Sequence, residues 1–234
     1  MNAKNAPRGS SLDRVFGPLL RPFDPWFEKH RGSFLVKNLP NIITLIRLVL
    51  SPLLAYEIWR SLVNYSGGQQ LFYCVIAVVV LFLSDGIDGT MAMRYEFNSS
   101  FGQVMDPIAD KVLVWSVIVP LSLAASTLAA SWLILAAAPL CLIAAIEVGV
   151  MAVTGVELKR RRSPRADSTG KWKLGTQGVL VTLFLAGLWA VAAGHIQAGT
   201  IILYGTFPVI VIAGILGLSS LRSHWNNLRA RVAA

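Results

Sequence analysis

Charge is what this 234-residue chain has least of. Asp, Glu, Lys and Arg make up 14% of it, where a soluble domain carries about a quarter. Histidine is scarce as well: His30, His195 and His224 stand far apart, which excludes a histidine-built metal site. The two cysteines, Cys74 and Cys141, both lie inside apolar runs and read as small buried hydrophobes, so a disulfide-stapled scaffold is excluded. No internal repeat is visible, and no low-complexity segment beyond the Ala-rich fourth apolar run. Acidic residues number twelve against twenty-one Lys and Arg, a net charge of +9. What remains is 55% hydrophobic, which places the chain in the membrane class.

Six apolar segments are long enough to cross a bilayer core, which takes roughly 20 residues of helix. They are Ile42–Val63, Leu71–Met93, Ile108–Ala125, Leu128–Val153, Thr176–Ala193 and Gly199–Leu221. Ser126 and Thr127 read as the turn of a tight hairpin between the third and fourth. The predicted fold is all-α: an integral membrane bundle of six transmembrane helices. Residues 1–37 form a cytoplasmic or juxtamembrane extension, 38–222 the membrane domain and 223–234 a short tail. In the extension, Pro18, Pro22 and Pro25 forbid one long helix. Its mixture of Phe, Leu and Trp with Arg and Lys suits a segment lying on the membrane surface. No signal peptide is expected, because the first apolar run starts only at Ile42.

Lys and Arg set the orientation. Seven precede the first span, seven lie from Lys159 to Lys173, and three follow the last span. Arg94 and Lys111 flank the connection between spans two and three, and the opposite side holds only Arg60. Both termini are therefore predicted to be cytoplasmic. The positive charge is a topology signal that also attracts anionic membrane lipids. Nucleic-acid binding is not expected, since no basic soluble domain is left over to do it.

Span two ends in the sequence Ser84-Asp85-Gly86-Ile87-Asp88-Gly89. Asp85 and Asp88 are three residues apart and share a helix face, as do Asp106 and Asp110, four apart, on the third span. About ten residues, Tyr95 to Val104, are expected to join the two helix ends. Four carboxylates can thus converge at the cytoplasmic membrane level, where mutual repulsion demands a counter-charge. Hard divalent cations with oxygen ligands meet that demand, and an all-carboxylate set suits Mg²⁺, Mn²⁺ or Ca²⁺ over zinc. Two such ions can clamp a phosphoryl group. Gly86, Gly89, Ala92 and Gly102 keep the neighbouring helix surface free of bulk, either for close approach of a phosphorylated ligand or for helix packing. Asn41, Thr44 and Arg47 recur at one-turn spacing on the first span. An intramembrane Arg47 is expected to meet an anion or one of the aspartates, not lipid.

These residues resemble the CDP-alcohol phosphotransferase family, whose pattern is D-x-x-D-G-x-x-A-R, eight residues, then G-x-x-x-D-x-x-x-D. Asp85, Asp88, Gly89, Ala92, Gly102, Asp106 and Asp110 match it. Met93 stands where the pattern has Arg, with Arg94 next. The stretches Asn38–Pro52, Met105–Lys111 and Ser168–Gln177 are similar to the phosphatidylglycerophosphate synthase and cardiolipin synthase branch. The resemblance covers Asn38 to about Leu221 and leaves the N-terminal extension without a counterpart.

The resemblance implies transfer of a phosphatidyl group from CDP-diacylglycerol to an alcohol with release of CMP. Asp85, Asp88, Asp106 and Asp110 would hold two Mg²⁺ or Mn²⁺ ions, and Asp110 would accept the proton of the attacking hydroxyl. Gly89, Ala92, Gly102, Arg94, Thr44 and Arg47 would contact the CDP-lipid. Arg165, Lys171 and Lys173 would meet the acceptor, glycerol 3-phosphate being the first expectation. A cardiolipin synthase acting on phosphatidylglycerol is the alternative, ahead of a transporter or a scaffold. A homodimer in the bacterial cytoplasmic (inner) membrane, its active site facing the cytoplasm, is implied by the same resemblance.

Overall fold

The computed structural model describes residues 11–64, 68–97, 99–127, 141, 143–150, 152–153 and 168–230. Regular structure among them is entirely helical. The helices are α1 (Ser11–Leu20), a 3₁₀ turn (Arg21–Phe23), α2 (Asp24–Lys29), α3 (Phe34–Lys37), α4 (Leu39–Val63), α5 (Gly68–Arg94) and α6 (Ser100–Thr127). A helical stretch at 143–150 (α7) follows, then α8 (Ser168–Ala192) and α9 (Ile196–Ala230). Five of these are long and apolar enough to cross a membrane, within Leu39–Val63, Gly68–Arg94, Met105–Ala124, Gly175–Ala192 and Ile196–Ser223. The expected span Leu128–Val153 lies mostly outside the described residues. Of the prolines in the extension, Pro22 and Pro25 each stand in the first turn of a new element, while Pro18 lies within α1 and does not end it.

Three sequence expectations are corrected. Ser126 and Thr127 are the last residues of α6, not a turn; two small polar residues do not by themselves break a helix. The connection between α5 and α6 is shorter than ten residues, running from Tyr95 to Ser99. It can be short because α5 closes in a Schellman motif: the Phe97 N–H donates to the Ala92 carbonyl at 3.0 Å, and Glu96 takes the left-handed position at φ 59°. Ser99 then caps α6, its Oγ accepting from the Gly102 N–H at 2.9 Å. Cys74 is buried, but Cys141 is exposed, its sulfur 3.3 Å from Ser122 Oγ. In a membrane protein an apolar run presents much of itself to lipid, so apolar neighbours in sequence do not imply burial within the protein.

The chain divides into two compact units, one of Met1–Leu53 with Ala77–Leu113 and one of Leu54–Ile76 with Val114–Ala234. In the first, Leu20, Phe27 and Val36 of the N-terminal segment share a core with Met91, Tyr95 and Phe97. In the second, α8 and α9 form an antiparallel hairpin turned at Gly194, whose φ of 88° suits glycine. There Gly187 and Gly199 let the helices meet almost backbone to backbone: a Cβ on Gly199 would lie 2.7 Å from the Gly187 carbonyl oxygen. Glu147 and Gln177, also of this unit, are buried and joined by a 2.7 Å hydrogen bond from the Gln177 amide. The outward faces are apolar, with Leu45, Ile46, Val49 and Leu53 on α4 and Ile201, Tyr204, Val211 and Ile215 on α9 exposed. Lipid is the solvent such faces require.

Candidate active site

The first unit carries the carboxylates. Near its start, α4 turns Asn41, Thr44 and Arg47 inward, and all three are buried, Arg47 with 0% of its surface exposed. The Arg47 guanidinium lies 2.6 Å from Asp85, 3.2 Å from Asp110 and 3.8 Å from Asp88. One turn earlier, Thr44 Oγ1 lies 2.8 Å from an Asp106 oxygen and 3.3 Å from an Asp88 oxygen, in donating range of both, and 3.1 Å from the Pro40 carbonyl. The two aspartate pairs from α5 and α6 thus come together against one face of α4. Helical spacing explains it: residues at i, i+3 and i+4 share a face, so three helices each offer a stripe to the same place.

Arg47 meets the aspartates, as its place inside the membrane led us to expect, and it supplies part of the counter-charge. A guanidinium from the chain itself stands among the four carboxylates. Such burial is tolerable for Arg47 only because anions surround it. The pairing is ionic without being well hydrogen-bonded: the three Arg47 nitrogens and Asp110 Oδ1 are buried yet lack hydrogen-bond alignment. One guanidinium against four carboxylates leaves the group anionic, with an oxygen-only donor set, and that chemistry fits a hard divalent cation. As they stand, the oxygens ring the guanidinium, and among the described residues no three acidic, histidine or cysteine side chains are drawn together tightly enough to chelate one ion.

The other predicted residues divide. Gly89 and Ala92 are half-buried on α5 beside Asp88. Gly102 is buried against Asn41, whose side-chain oxygen would lie 2.6 Å from a Cβ placed there. Ser99 Oγ donates to that same Asn41 oxygen at 2.8 Å, so the starts of α4 and α6 are fastened at this point. Lys171 and Lys173 fall within α8, and Arg165 lies outside the described residues. Arg94 is engaged elsewhere. Its Nε and Nη2 donate to the two oxygens of Asp24 at 3.0 and 2.5 Å, and Nη1 donates to Asp13 at 3.1 Å.

Sequence reasoning missed that engagement. Asp24 accepts a further hydrogen bond from the Tyr95 hydroxyl at 2.6 Å. Burial works to raise the Asp24 pKa, but the bonds from Arg94 and Tyr95 outweigh it and hold the carboxyl below its ordinary 3.8. The Tyr95 hydroxyl is pushed up, first by burial and then by its bond to Asp24. Arg31 adds a 2.8 Å ion pair to Glu96 and a 3.2 Å bond to the Tyr95 carbonyl. The available signal was Asp13 and Asp24, two of the three acids in an otherwise basic extension, able to seek the cation that ends α5.

Comparison with known proteins agrees with the site's composition. Residues 37–214 match the family described as CDP-alcohol phosphatidyltransferase. A protein of Mycobacterium tuberculosis (strain CDC 1551 / Oshkosh) named probable phosphatidylglycerophosphate synthase is 31% identical over 175 residues, 74% of this chain and 78% of that one. The Escherichia coli (strain K12) CDP-diacylglycerol--glycerol-3-phosphate 3-phosphatidyltransferase is 29% identical over 159 residues, 67% of this chain and 82% of its own. A Rickettsia felis protein of that same name is 38% identical over a shorter 87 residues, 36% of this chain and 44% of its own. The match spans three quarters of the sequence and contains every carboxylate of the site: the chain belongs to the CDP-alcohol phosphatidyltransferase family.

Proposed function

We propose that this enzyme transfers the phosphatidyl group of CDP-diacylglycerol to sn-glycerol 3-phosphate, giving phosphatidylglycerophosphate and CMP. The observation that carries the reading is the gathering of Asp85, Asp88, Asp106 and Asp110 against Thr44 and Arg47. The names of the Mycobacterium and Escherichia relatives supply the acceptor.

In this reading Asp85, Asp88, Asp106 and Asp110 would hold two Mg²⁺ or Mn²⁺ ions, which would supply positive charge for the diphosphate oxygens of the donor. Asp110 takes the proton of the acceptor hydroxyl while its oxygen bonds to the lipid phosphorus and the bond to the CMP phosphate breaks. Arg47 restrains the carboxylates against mutual repulsion, and Thr44 orients Asp106 and Asp88. Gly89 and Ala92 border the nucleotide, and Arg165, Lys171 and Lys173 supply cations for the acceptor phosphate. The site faces the cytoplasm of a bacterial inner membrane, and the enzyme works as a homodimer.

The test is CMP release by the purified protein with CDP-diacylglycerol and Mg²⁺ or Mn²⁺ across a panel of alcohols. Release with glycerol 3-phosphate, reduced about 10²–10⁴-fold by Asp110→Asn, is expected. Release with phosphatidylglycerol alone would reassign the enzyme as a cardiolipin synthase. No release with any acceptor would refute the reading.

A further inference from the structure

We propose that Arg94 is a positioning residue: it fastens the N-terminal segment as a strap across the end of α5, and the strap holds the helix that carries Asp85 and Asp88.

Three features of the first unit lead to this. Arg94 is saturated by the chain's own anions. Its fork meets both oxygens of Asp24, its third nitrogen meets Asp13, and the side chain is 19% exposed. Planar two-point pairing of this kind is the strongest arrangement a guanidinium makes with a carboxylate. A diphosphate arriving here would have to displace two carboxylates from one cation, so Arg94 is a poor place for a ligand and a good place for an anchor. The path to Asp13 is open because Gly17 has no side chain; a Cβ there would lie 2.8 Å from the Asp13 oxygen and 3.5 Å from Arg94 Nη1.

The second feature is a seat. Phe16 of α1 lies on Gly86, so close that a Cβ on Gly86 would overlap the ring. Gly86 is the residue between Asp85 and Ile87, inside the carboxylate motif itself. With about 100° per residue, Gly86 and Met93 fall near one line of α5, while Asp85, Ala92 and Asp88 lie about 100° to 160° round from it. The strap therefore grips α5 away from the face that carries the carboxylates and leaves that face uncovered. Met93 in place of arginine now has a physical reading: a cation on the Gly86 line is exchanged for one a step further round, where Asp24 and Asp13 wait.

The third feature is the apolar joint that completes the strap. Leu20, Phe27 and Val36 bury themselves against Met91, Tyr95 and Phe97, with the Phe27 and Tyr95 rings 4.5 Å apart. Fastening at Phe16, Asp13, Asp24, Phe27 and Arg31 along one segment marks a structural part of the site and not a trailing tail.

The experiment is limited trypsin digestion and steady-state kinetics on the full-length protein in detergent. It compares the parent with Arg94→Ala, Asp24→Asn and the double variant. Arg14 and Lys29 are exposed, each followed by a residue other than proline, and they report opening of the strap. Cleavage at these sites is expected to accelerate at least about tenfold in Arg94→Ala, which loses the pairings with both Asp24 and Asp13, and to accelerate in Asp24→Asn as well. The double variant should be cut no faster than Arg94→Ala, because that substitution already removes the bond to Asp24. kcat/KM for CDP-diacylglycerol should fall in all three, the double variant matching Arg94→Ala. Unchanged cleavage would overturn the proposal. So would a rise in KM confined to variants lacking Arg94, the mark of a donor ligand, or additive effects of the two substitutions. Asp24 lies outside the membrane helices, so Asp24→Asn decides the matter if Arg94→Ala fails to fold. The kinetic arm rests on the proposed reaction and the cleavage arm does not: absence of CMP release in the parent refutes the former, and the digestion pattern still decides the latter.

Discussion

At the scale of single residues, Arg47 concentrates the physics of the site. A guanidinium with no exposed surface, on a helix that crosses a membrane, is tolerable only among anions, and Asp85, Asp88 and Asp110 are those anions. Removing it leaves three carboxylates facing one another. Arg47→Ala is expected to cost up to about 3 kcal/mol of stability, the partial exposure of Asp85 and Asp110 keeping the loss at the low end for a buried pair. Thermal unfolding in detergent measures this. Mg²⁺ or Mn²⁺ should recover more of the loss in the variant than it adds to the parent, because the cation then replaces the missing charge. The one-turn spacing of Asn41, Thr44 and Arg47 was legible in the sequence, as was the sharing of faces by the aspartates. Which carboxylate would meet which donor was not, because that depends on how the three helices rotate against one another.

At the scale of elements, two joints make separate predictions. The first is the strap. The Asp24 carboxyl is held below 3.8 in the folded chain, so its stabilising bond is fully present above that value and is lost as the pH falls through the depressed folded one. Pepsin cleavage of residues 11–30 should therefore stay slow as the pH approaches 3.8 from above and accelerate only below it, while Asp24→Asn should be cut quickly throughout. The second joint is the α8–α9 hairpin. Gly199→Leu would drive a side chain into the Gly187 backbone and is expected to destabilise the fold by about 1–3 kcal/mol through overpacking, read as a lower unfolding temperature. The prolines at 22 and 25 announced that the extension would be broken, and the structure breaks it there. That the pieces pack on α5 was hidden, since Phe16, Phe27 and Tyr95 are distant in sequence and composition alone suits a membrane-surface segment equally well.

For the whole molecule, membrane class was plain from the scarcity of charge, and five of the expected spans are helices of sufficient length. The distribution of Lys and Arg predicts that reporters fused to the N- and C-termini both read as cytoplasmic. A signal from the opposite side of the membrane at either terminus would overturn the proposed orientation. Chelation offers a check on the site as a whole. EDTA should abolish CMP release and Mg²⁺ or Mn²⁺ restore it, with no loss of helix content by circular dichroism, because the bundle is held by packing and Arg47 already supplies part of the counter-charge. The sequence by itself determined the solvent of this protein, its helical class and the four carboxylates, since hydropathy and helical periodicity are local properties written residue by residue. Only the tertiary structure decided which of those carboxylates Arg47 meets and that Arg94 is bound by the N-terminal segment. Those pairings join residues up to 81 positions apart, and spacing along the chain carries no information about partners that only packing brings together.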